Sequence, residues 1–240
     1  MVKPLVVIPT FNESENIDSI LDEILLLPES FHVLIVDDAS PDGTGDRVVA
    51  QQKGRPKQQA DRLHILRRLA KTGLGSAYRD GFAWAVRREY THYCQMDADF
   101  SHAPSDLTKL LKATSDFDVA VGSRWIQEGK TFGWSWIRKV LSRCANVYAR
   151  TVLGHPIRDL TSGFKCYRRR AIIEIDPSKM QSEGYTFQIE TLARAKKQGL
   201  TMTEVPITFR ERKGGKSKIS SISTTFQTIF LVLQLRIQNR

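Results

Sequence analysis

Residues 5–38 have the sequence LVVIPTFNESENIDSILDEILLLPESFHVLIVDD, and this stretch decides the fold. It contains two short apolar runs, Leu5–Ile8 and His32–Val36, which predict buried strands. Between them, apolar residues recur at helical spacing from Glu13 to Leu27, which predicts an amphipathic helix. A strand, a helix and a strand in this order form a βαβ unit, and such units assemble parallel sheets with helices on their faces.

The same alternation continues to about residue 124. Further strands are predicted at Leu63–Leu66, Tyr90–Met96 and Asp118–Val121, and further helices at Thr44–Gln51, Leu74–Arg88 and Leu107–Ala113. The segment Gly54–Gln59 is predicted to be a basic surface loop. The whole pattern predicts an α/β fold with a mostly parallel sheet flanked by helices.

Length and cysteine content narrow the class of protein. A chain of 240 residues with 41% hydrophobic residues can form one large domain or two small ones, each with a substantial core. Its three cysteines are widely spaced and form no C-x-x-C pair, so neither a disulfide framework nor a zinc site is indicated. No secretory signal pattern follows Met1, and we therefore expect a reducing, cytoplasmic location.

Charge is distributed unevenly along the chain. Residues 1–100 contain 12 lysines and arginines against 15 aspartates and glutamates, whereas residues 101–240 contain 24 against 11. The basic second half predicts an anionic partner, which can be nucleic acid, an anionic membrane surface or a phosphorylated substrate. Charge alone does not choose among these three.

Two segments of the second half have the sequence pattern of amphipathic helices. Between Trp134 and Tyr148 apolar residues share one helical face, beside several arginines and lysines and after two tryptophans. A similar apolar stripe runs from Ile219 to Ile237. Both patterns are typical of helices that lie in a membrane interface, although an ordinary amphipathic helix packed on the core has the same pattern. The longest unbroken apolar run in the last stripe, Ile229–Leu233, is far shorter than the ~20 residues of a spanning helix.

Asp97 and Asp99 are the strongest candidates for metal ligands. They follow a predicted strand, and in an extended backbone side chains two residues apart point to the same side. Two carboxylates so close together are costly unless a proton or a cation lies between them. The carboxyl end of a strand in an open α/β sheet is where ligands bind, so Mg²⁺ or Mn²⁺ carrying phosphate oxygens is the expected occupant. A solvated acidic turn is the alternative for the isolated motif.

Acidic residues also follow the first two predicted strands. Glu13 comes just after Pro9, which ends the first strand, and Asp38 comes at the tip of the second. A carboxylate at the end of the second strand of such a sheet commonly accepts hydrogen bonds from a ribose or a base. Helix capping is the alternative for Asp38.

Seven segments in order resemble one known family along essentially the whole chain. They are PTFNE (9–13), VDDASPDGT (36–44), MDADFSH (96–102), GSR (122–124), GWSWIRK (133–139), DLTSGFK (159–165) and FRERKGGKSK (209–218). Together they resemble the inverting GT-A glycosyltransferases of family 2, and more narrowly the dolichol-phosphate (polyprenol-phosphate) mannose synthases. The resemblance implies a GT-A, Rossmann-like fold with interfacial helices towards the C-terminus.

The resemblance also implies a division of the chain. Residues 1–218 would form the catalytic domain, with 1–124 as the nucleotide-sugar and metal half and 125–218 as the acceptor half with an interfacial helix. Residues 219–240 would form a C-terminal amphipathic helix. The implied reaction transfers mannose from GDP-mannose to dolichyl or polyprenyl monophosphate with inversion.

Site residues follow from the resemblance at matching positions. Pro9, Thr10, Glu13, Val36 and Asp38 would hold the guanosine, and Asp97, Ala98 and Asp99 the β-phosphate through the divalent metal. Ser101 stands where related enzymes often have glutamine as a further metal ligand. Arg124, Arg138, Arg212 and Lys218 would bind the diphosphate and the acceptor phosphate. Asp99, Arg124 and Asp159 are the expected catalytic residues, with Asp159 positioning sugar or acceptor.

The implied location is peripheral, on the cytoplasmic face of a membrane, reached through interfacial helices or a small membrane-anchoring partner subunit. One alternative is a polyprenyl-phosphate glucosyltransferase that uses UDP-glucose, and another is a non-catalytic nucleotide-sugar or membrane-binding module. Nucleic acid is not an expected partner, because no motif that reads RNA or DNA is present.

Overall fold

The computed structural model describes the backbone of residues 2–211 and 222–238 and the side chains of 2–211 and 228–237. The strands of the described residues are β1 (Pro4–Thr10), β2 (His32–Asp37), β3 (Leu63–Arg67), β4 (His92–Gln95), β5 (Val119–Ser123), β6 (Lys130–Phe132), β7 (Lys165–Arg168), β8 (Met202–Pro206) and β9 (Thr208–Arg210). The helices are α1 (Ile17–Leu25), α2 (Thr44–Gly54), α3 (Lys57–Ala60), α4 (Leu74–Val86), α5 (Asp106–Ala113), α6 (Trp136–Leu153), α7 (Arg169–Ile175), α8 (Gly184–Lys197) and α9 (Ile222–Gln238), with a 3₁₀ turn at Pro177–Lys179.

The main sheet has the strand order β3-β2-β1-β4-β7-β5-β8. Its strands are parallel except β7, which lies antiparallel between β4 and β5. A second sheet pairs β6 with β9. The predicted α/β fold with a mostly parallel sheet is therefore confirmed, and the carboxyl ends of β1, β2, β4 and β5 meet at one edge.

Alternating side chains of the strands build a core on each face of the sheet. Leu5 and Val7 belong to the cluster on one face, whereas Val6 and Ile8 belong to the cluster on the other. Helix α4 comes close to the first face because Gly81 has no side chain. A Cβ at Gly81 would lie 2.6 Å from Val7 Cγ1 and 3.1 Å from Val36 Cγ2. These clusters fix the strand ends from which the candidate site residues project.

Three local predictions differ from the structure. The segment Gly54–Gln59 contains the start of the short helix α3 rather than only a loop. The first helix begins at Ile17, because Asn12 adopts a positive φ of 60° and the chain turns after β1 before the helix starts. Trp134 precedes α6 and is buried against Trp125 and Phe209, so it is not an interfacial side chain.

Helices α6 and α9 pack against each other, and the Tyr148 hydroxyl donates a hydrogen bond to the carbonyl oxygen of Ile229. Among the described side chains of α9, Val232 and Leu235 are buried. Much of the predicted stripe faces away from the core, since Phe230 and Ile237 are largely exposed. Ile219, at the start of the predicted stripe, lies outside the described residues. None of the described helices combines the length and apolar character that a bilayer-spanning segment requires.

The connection from α6 to β7 carries several candidate site residues, and His155 anchors it. Its Nε2 donates to the carbonyl oxygen of Leu192, and its Nδ1 accepts from the Ile157 amide. The ring is 3% exposed, and this burial lowers the pKa of His155 from 6.5 to about 4. The folded state therefore holds the ring neutral.

Acid should accordingly weaken this anchor. The unfolded chain binds the proton at a higher pH than the folded chain, so stability falls as pH drops from 6.5 towards 4. Between pH 7.5 and pH 5, we expect the free energy of unfolding to fall by about 2 kcal/mol more in the wild type than in His155→Gln. Urea unfolding at the two pH values measures this difference. Equal losses in the two proteins would contradict the assignment.

Candidate active site

A cavity of about 650 Å³ opens at the carboxyl edge of the sheet. Its walls come from the ends of β1, β2, β4 and β5, from the connection between α6 and β7, and from the start of α8. Predicted residues that line it are Pro9, Thr10, Glu13, Asp38, Asp97, Ala98, Asp99, Arg124 and Arg138. Residues from both halves of the sequence therefore converge on one cavity.

Asp97 and Asp99 lie directly after β4, in a tight turn. The Asp99 carboxylate accepts a hydrogen bond of 3.0 Å from the Ser101 amide, and Phe100 between them has a positive φ of 57°. The Ser101 hydroxyl is buried and has no hydrogen-bond partner among the described residues. The turn thus brings two carboxylates to the cavity, whereas the unsatisfied Ser101 hydroxyl lies behind them and does not line it.

This donor set fits a hard divalent cation. Mg²⁺ and Mn²⁺ prefer oxygen ligands, and Mg²⁺ is often held by one or two carboxylates together with phosphate oxygens and water. No group of three or more His, Cys, Asp or Glu side chains with metal-binding geometry occurs among the described residues. A cation bound here would therefore take its remaining ligands from water and a phosphorylated substrate.

His102 supports the acidic turn as a neutral ring. It stacks on Phe164 with a centroid distance of 4.7 Å, and its Nδ1 accepts a hydrogen bond from the Asp97 amide. Burial lowers the pKa of His102 to about 3. The ring is therefore neutral and adds no positive charge beside the two carboxylates.

Arg124 and Asp159 form a buried ion pair. Arg124 Nε and Nη2 donate to the two carboxylate oxygens at 2.7 and 2.6 Å, and the Arg124 amide donates to Oδ2 at 2.9 Å. Burial lowers the pKa of Arg124, but Asp159 raises it more, so the guanidinium stays charged. Asp159 is completely buried and does not line the cavity. The expected direct role of Asp159 in positioning sugar or acceptor is thus not supported by its placement, because its oxygens are committed to Arg124.

Arg138, in the first turn of α6, is the second arginine of the cavity. Its guanidinium lies 4.1 Å from the centre of the Trp134 ring, and Nη1 donates to Glu211 at 3.0 Å. Both partners are partly exposed. Arg212 and Lys218, the other expected phosphate ligands, lie outside the described residues.

The side of the cavity at the end of β2 contains an ion-pair network that the sequence did not indicate. Arg68 pairs with Asp38 at 2.5 Å and with Asp80 at 2.9 Å. Burial raises the pKa of Asp38, while Arg68 acts in the opposite direction. Val36 differs from the other expected residues, since its side chain is wholly buried in the core and does not line the cavity.

Several cavity residues were not predicted. Lys71 lies 3.8 Å over the Phe11 ring, and Glu183, Tyr185 and Gln188 line the cavity from the start of α8. Lys71 follows a predicted strand, which was a usable signal. The segment from Glu183 to Gln188 is 85 or more residues beyond Asp97 in the sequence, and no strand end or charge pattern marked it.

Residues 5–176 match the model of the glycosyl transferase family 2 domain. The chain belongs to that family. The expectation of a family 2 glycosyltransferase is thereby confirmed, and the matched region contains the acidic turn and the pair Arg124–Asp159.

Two curated members of the family are similar over most of this glycosyltransferase. Polyprenol monophosphomannose synthase of Mycolicibacterium smegmatis is 44% identical over 239 residues, covering 99% of this chain and 88% of the relative. Undecaprenyl-phosphate mannosyltransferase of Micrococcus luteus is 41% identical over 220 residues, covering 91% and 88%.

Solved structures support the GT-A-like fold of this glycosyltransferase. Glucosyl-3-phosphoglycerate synthase from Mycobacterium tuberculosis, in complex with phosphoglyceric acid, superposes with a TM-score of 0.72 at 17% identity, covering 98% of this chain and 80% of that one. The same enzyme in complex with Mn²⁺, UDP-glucose and phosphoglyceric acid gives a TM-score of 0.70 at 17% identity, covering 99% and 80%. At this identity the likeness concerns the fold alone.

Proposed function

We propose that this family 2 glycosyltransferase transfers mannose from GDP-mannose to the monophosphate of a polyprenol or dolichol, with inversion at the sugar. The observation that carries the proposal is the sequence identity of 44% and 41% to two enzymes that are named as a polyprenol monophosphomannose synthase and an undecaprenyl-phosphate mannosyltransferase. The cavity agrees with it, because an acidic turn suited to a cation faces a wall containing Arg124 and Arg138.

The acceptor phosphate can act as the nucleophile without a dedicated base. Its second pKa is near ~6, so it is largely dianionic at neutral pH. Arg124 and Arg138 offer planar guanidinium groups that bind phosphate oxygens and reduce the repulsion between two anionic substrates. Asp159 keeps Arg124 in place for this role. We further propose that Arg212 and Lys218 add positive charge to the acceptor side.

Asp97, Asp99 and Ser101 would hold Mg²⁺ or Mn²⁺. When bound, this cation neutralises charge that develops on the departing nucleoside diphosphate. Pro9, Thr10, Glu13 and Asp38 would bind the nucleoside, and Val36 would contribute through its backbone. A single in-line displacement would convert an α-linked donor into a β-linked product.

A direct assay tests the function. The protein is incubated with radiolabelled GDP-mannose, a polyprenyl phosphate and Mn²⁺ or Mg²⁺, and lipid products are separated by thin-layer chromatography. A labelled lipid with GDP-mannose and none with UDP-glucose is the expected result. Product only with UDP-glucose would favour a glucosyltransferase, and binding of either donor without product would favour a non-catalytic module.

We also propose that the enzyme is peripheral on the cytoplasmic face of a membrane, alone or through a small anchoring subunit. The structure offers an exposed apolar surface on α6 and α9, formed by Trp136, Ile137, Val140, Leu141, Val147, Ile229, Phe230, Leu233 and Ile237. Arg138, Lys139 and Arg143 lie on the same helix as part of it. Apolar side chains flanked by cations suit an interface with anionic lipid.

Removing two of these side chains should weaken membrane binding. We expect Ile137→Ser with Leu141→Ser to lower binding to vesicles containing anionic lipid by about tenfold, because less apolar area enters the bilayer. Vesicle flotation measures the bound fraction. Ile173→Ser is a control, since Ile173 is also exposed. It belongs to α7, which follows the antiparallel strand β7 and therefore begins at the edge of the sheet opposite the cavity. Equal binding of both variants would contradict this surface.

A further inference from the structure

Lys165 is an unusual residue for the centre of a sheet. It starts β7, pairs with Gln95 of β4 and Val121 of β5, and its side chain is completely buried. Its ammonium group donates to Oε1 of Gln188 and forms no salt bridge within the described residues. Burial of this amine without a salt-bridge partner lowers its pKa from 10.5 to about 7.

The contact fixes the orientation of the Gln188 amide. In its charged form the Lys165 amine can only donate hydrogen bonds, so it binds the carbonyl oxygen Oε1 of Gln188. The amide nitrogen Nε2 then points the other way. Gln188 is 1% exposed and lines the cavity, and Nε2 is buried without a hydrogen-bond partner among the described residues. A buried donor in that state is rare and indicates a missing acceptor.

Gly163 identifies the space that this donor faces. A Cβ at Gly163 would lie 3.7 Å from Gln188 Nε2 and 3.8 Å from each carboxylate oxygen of Asp97. A side chain at position 163 would therefore occupy the region between the amide and the carboxylate. Because position 163 is glycine, it places no side chain of its own in that region.

The chemistry around this space favours a hydroxyl group over a phosphate. A hydroxyl both accepts and donates, so it can accept from Nε2 and donate to the Asp97 carboxylate. A phosphate oxygen only accepts, so it can bond to Nε2 but meets the Asp97 carboxylate only through a cation bound between them. The cationic groups that suit phosphates, Arg124 and Arg138, line other parts of the wall.

We propose that Gln188 binds the transferred hexose by donating a hydrogen bond from Nε2 to one of its hydroxyl groups, and that Lys165 is a positioning residue which holds the amide in the donating orientation. The inference rests on the proposed function, since it assigns the sugar subsite of the same cavity. The start of α8 is fixed for this purpose by Phe187, which stacks on Tyr78 with a centroid distance of 5.8 Å.

The test compares GDP-mannose with GDP in the presence of Mn²⁺ by isothermal titration calorimetry. Gln188→Glu keeps an oxygen for Lys165 but replaces the donor with an acceptor. We expect its Kd for GDP-mannose to rise about tenfold, while its Kd for GDP stays within about twofold of the wild type. Retained GDP binding also shows that the variant is folded. A Kd for GDP-mannose equal to that of the wild type, or an equal rise for GDP, would overturn the sugar assignment.

A double-mutant cycle tests Lys165. Lys165→Met alone should raise the ratio of the Kd for GDP-mannose to the Kd for GDP, because the Gln188 amide is no longer held in one orientation. In a Gln188→Met background, Lys165→Met should change that ratio by less than about twofold. Additive effects would overturn the positioning role. A wild type that does not bind GDP-mannose would refute the proposed function itself, whereas normal wild-type binding with an unaffected Gln188→Glu variant would refute only this inference.

Discussion

Asp97→Asn should reduce mannosyl transfer by about 10³-fold or more while leaving the protein folded. Asparagine keeps the shape of the side chain but removes the negative charge that a divalent cation requires. Asp97 borders the cavity and its side chain is 30% exposed, so we expect the isosteric asparagine to fit without a change of fold. The expected loss is thus chemical rather than structural.

Two measurements check this result. Titration of GDP-mannose with and without Mn²⁺ should show a gain in affinity for the wild type and none for Asp97→Asn. Asp116→Asn is the matched control, because Asp116 is exposed in the turn before β5, at the opposite end of the strand from Arg124. Transfer by the wild type that survives a chelator unchanged would refute the cation at Asp97 and Asp99.

Asp159→Ala should have the largest effect on stability. It leaves the Arg124 guanidinium buried without its carboxylate, and breaking a buried ion pair in this way costs about 3–5 kcal/mol. Chemical denaturation measures the loss. Glu211→Gln removes the partner of the other cavity arginine, but that pair is partly exposed and should change the free energy of unfolding by less than about 1 kcal/mol.

A double variant separates the structural role of this pair from its functional role. Arg124→Met with Asp159→Leu replaces both charges with apolar groups, so most of the lost stability should return. Activity should not return, because the guanidinium that we propose to bind phosphate is gone. Restored transfer in the double variant would contradict the role of Arg124, and a stable Asp159→Ala protein would contradict the importance of the pair to the fold.

The first half of the fold could be predicted because its signals are local. Leu5–Ile8 and His32–Val36 are apolar runs that any parallel sheet would bury, and the carboxylates that follow them must meet at one edge. Strand β7, with the sequence KCYR, has no such signal. Its position between β4 and β5 depends on pairing with residues 40 or more positions away, which periodicity cannot reveal.

The candidate site also contains residues that the sequence could predict and residues that it could not. Asp97, Asp99 and Arg124 were predictable from motifs that follow strands, and the structure places them around one cavity. The burial of Asp159 was not predictable, because a carboxylate in a loop has the same sequence pattern whether it contacts a ligand or an arginine. Gln188 gave no signal, since a glutamine in a helix is usually a solvent-exposed residue.

The antiparallel strand β7 has a consequence for electrostatics. Neighbouring strands lie about 4.8 Å apart, so the tips of β4 and β5 are separated by roughly 10 Å with β7 between them. Were β4 and β5 adjacent, the Arg124 guanidinium could fall onto the aspartates of the acidic turn, and each would cancel the other. The intervening strand keeps the two tips apart, so that Asp97 raises the pKa of Arg124 less than Asp159 does. The segment leading into the strand supplies Asp159 as the direct counterion. Opposite charges thereby lie on the two sides of the start of β7, around the same cavity.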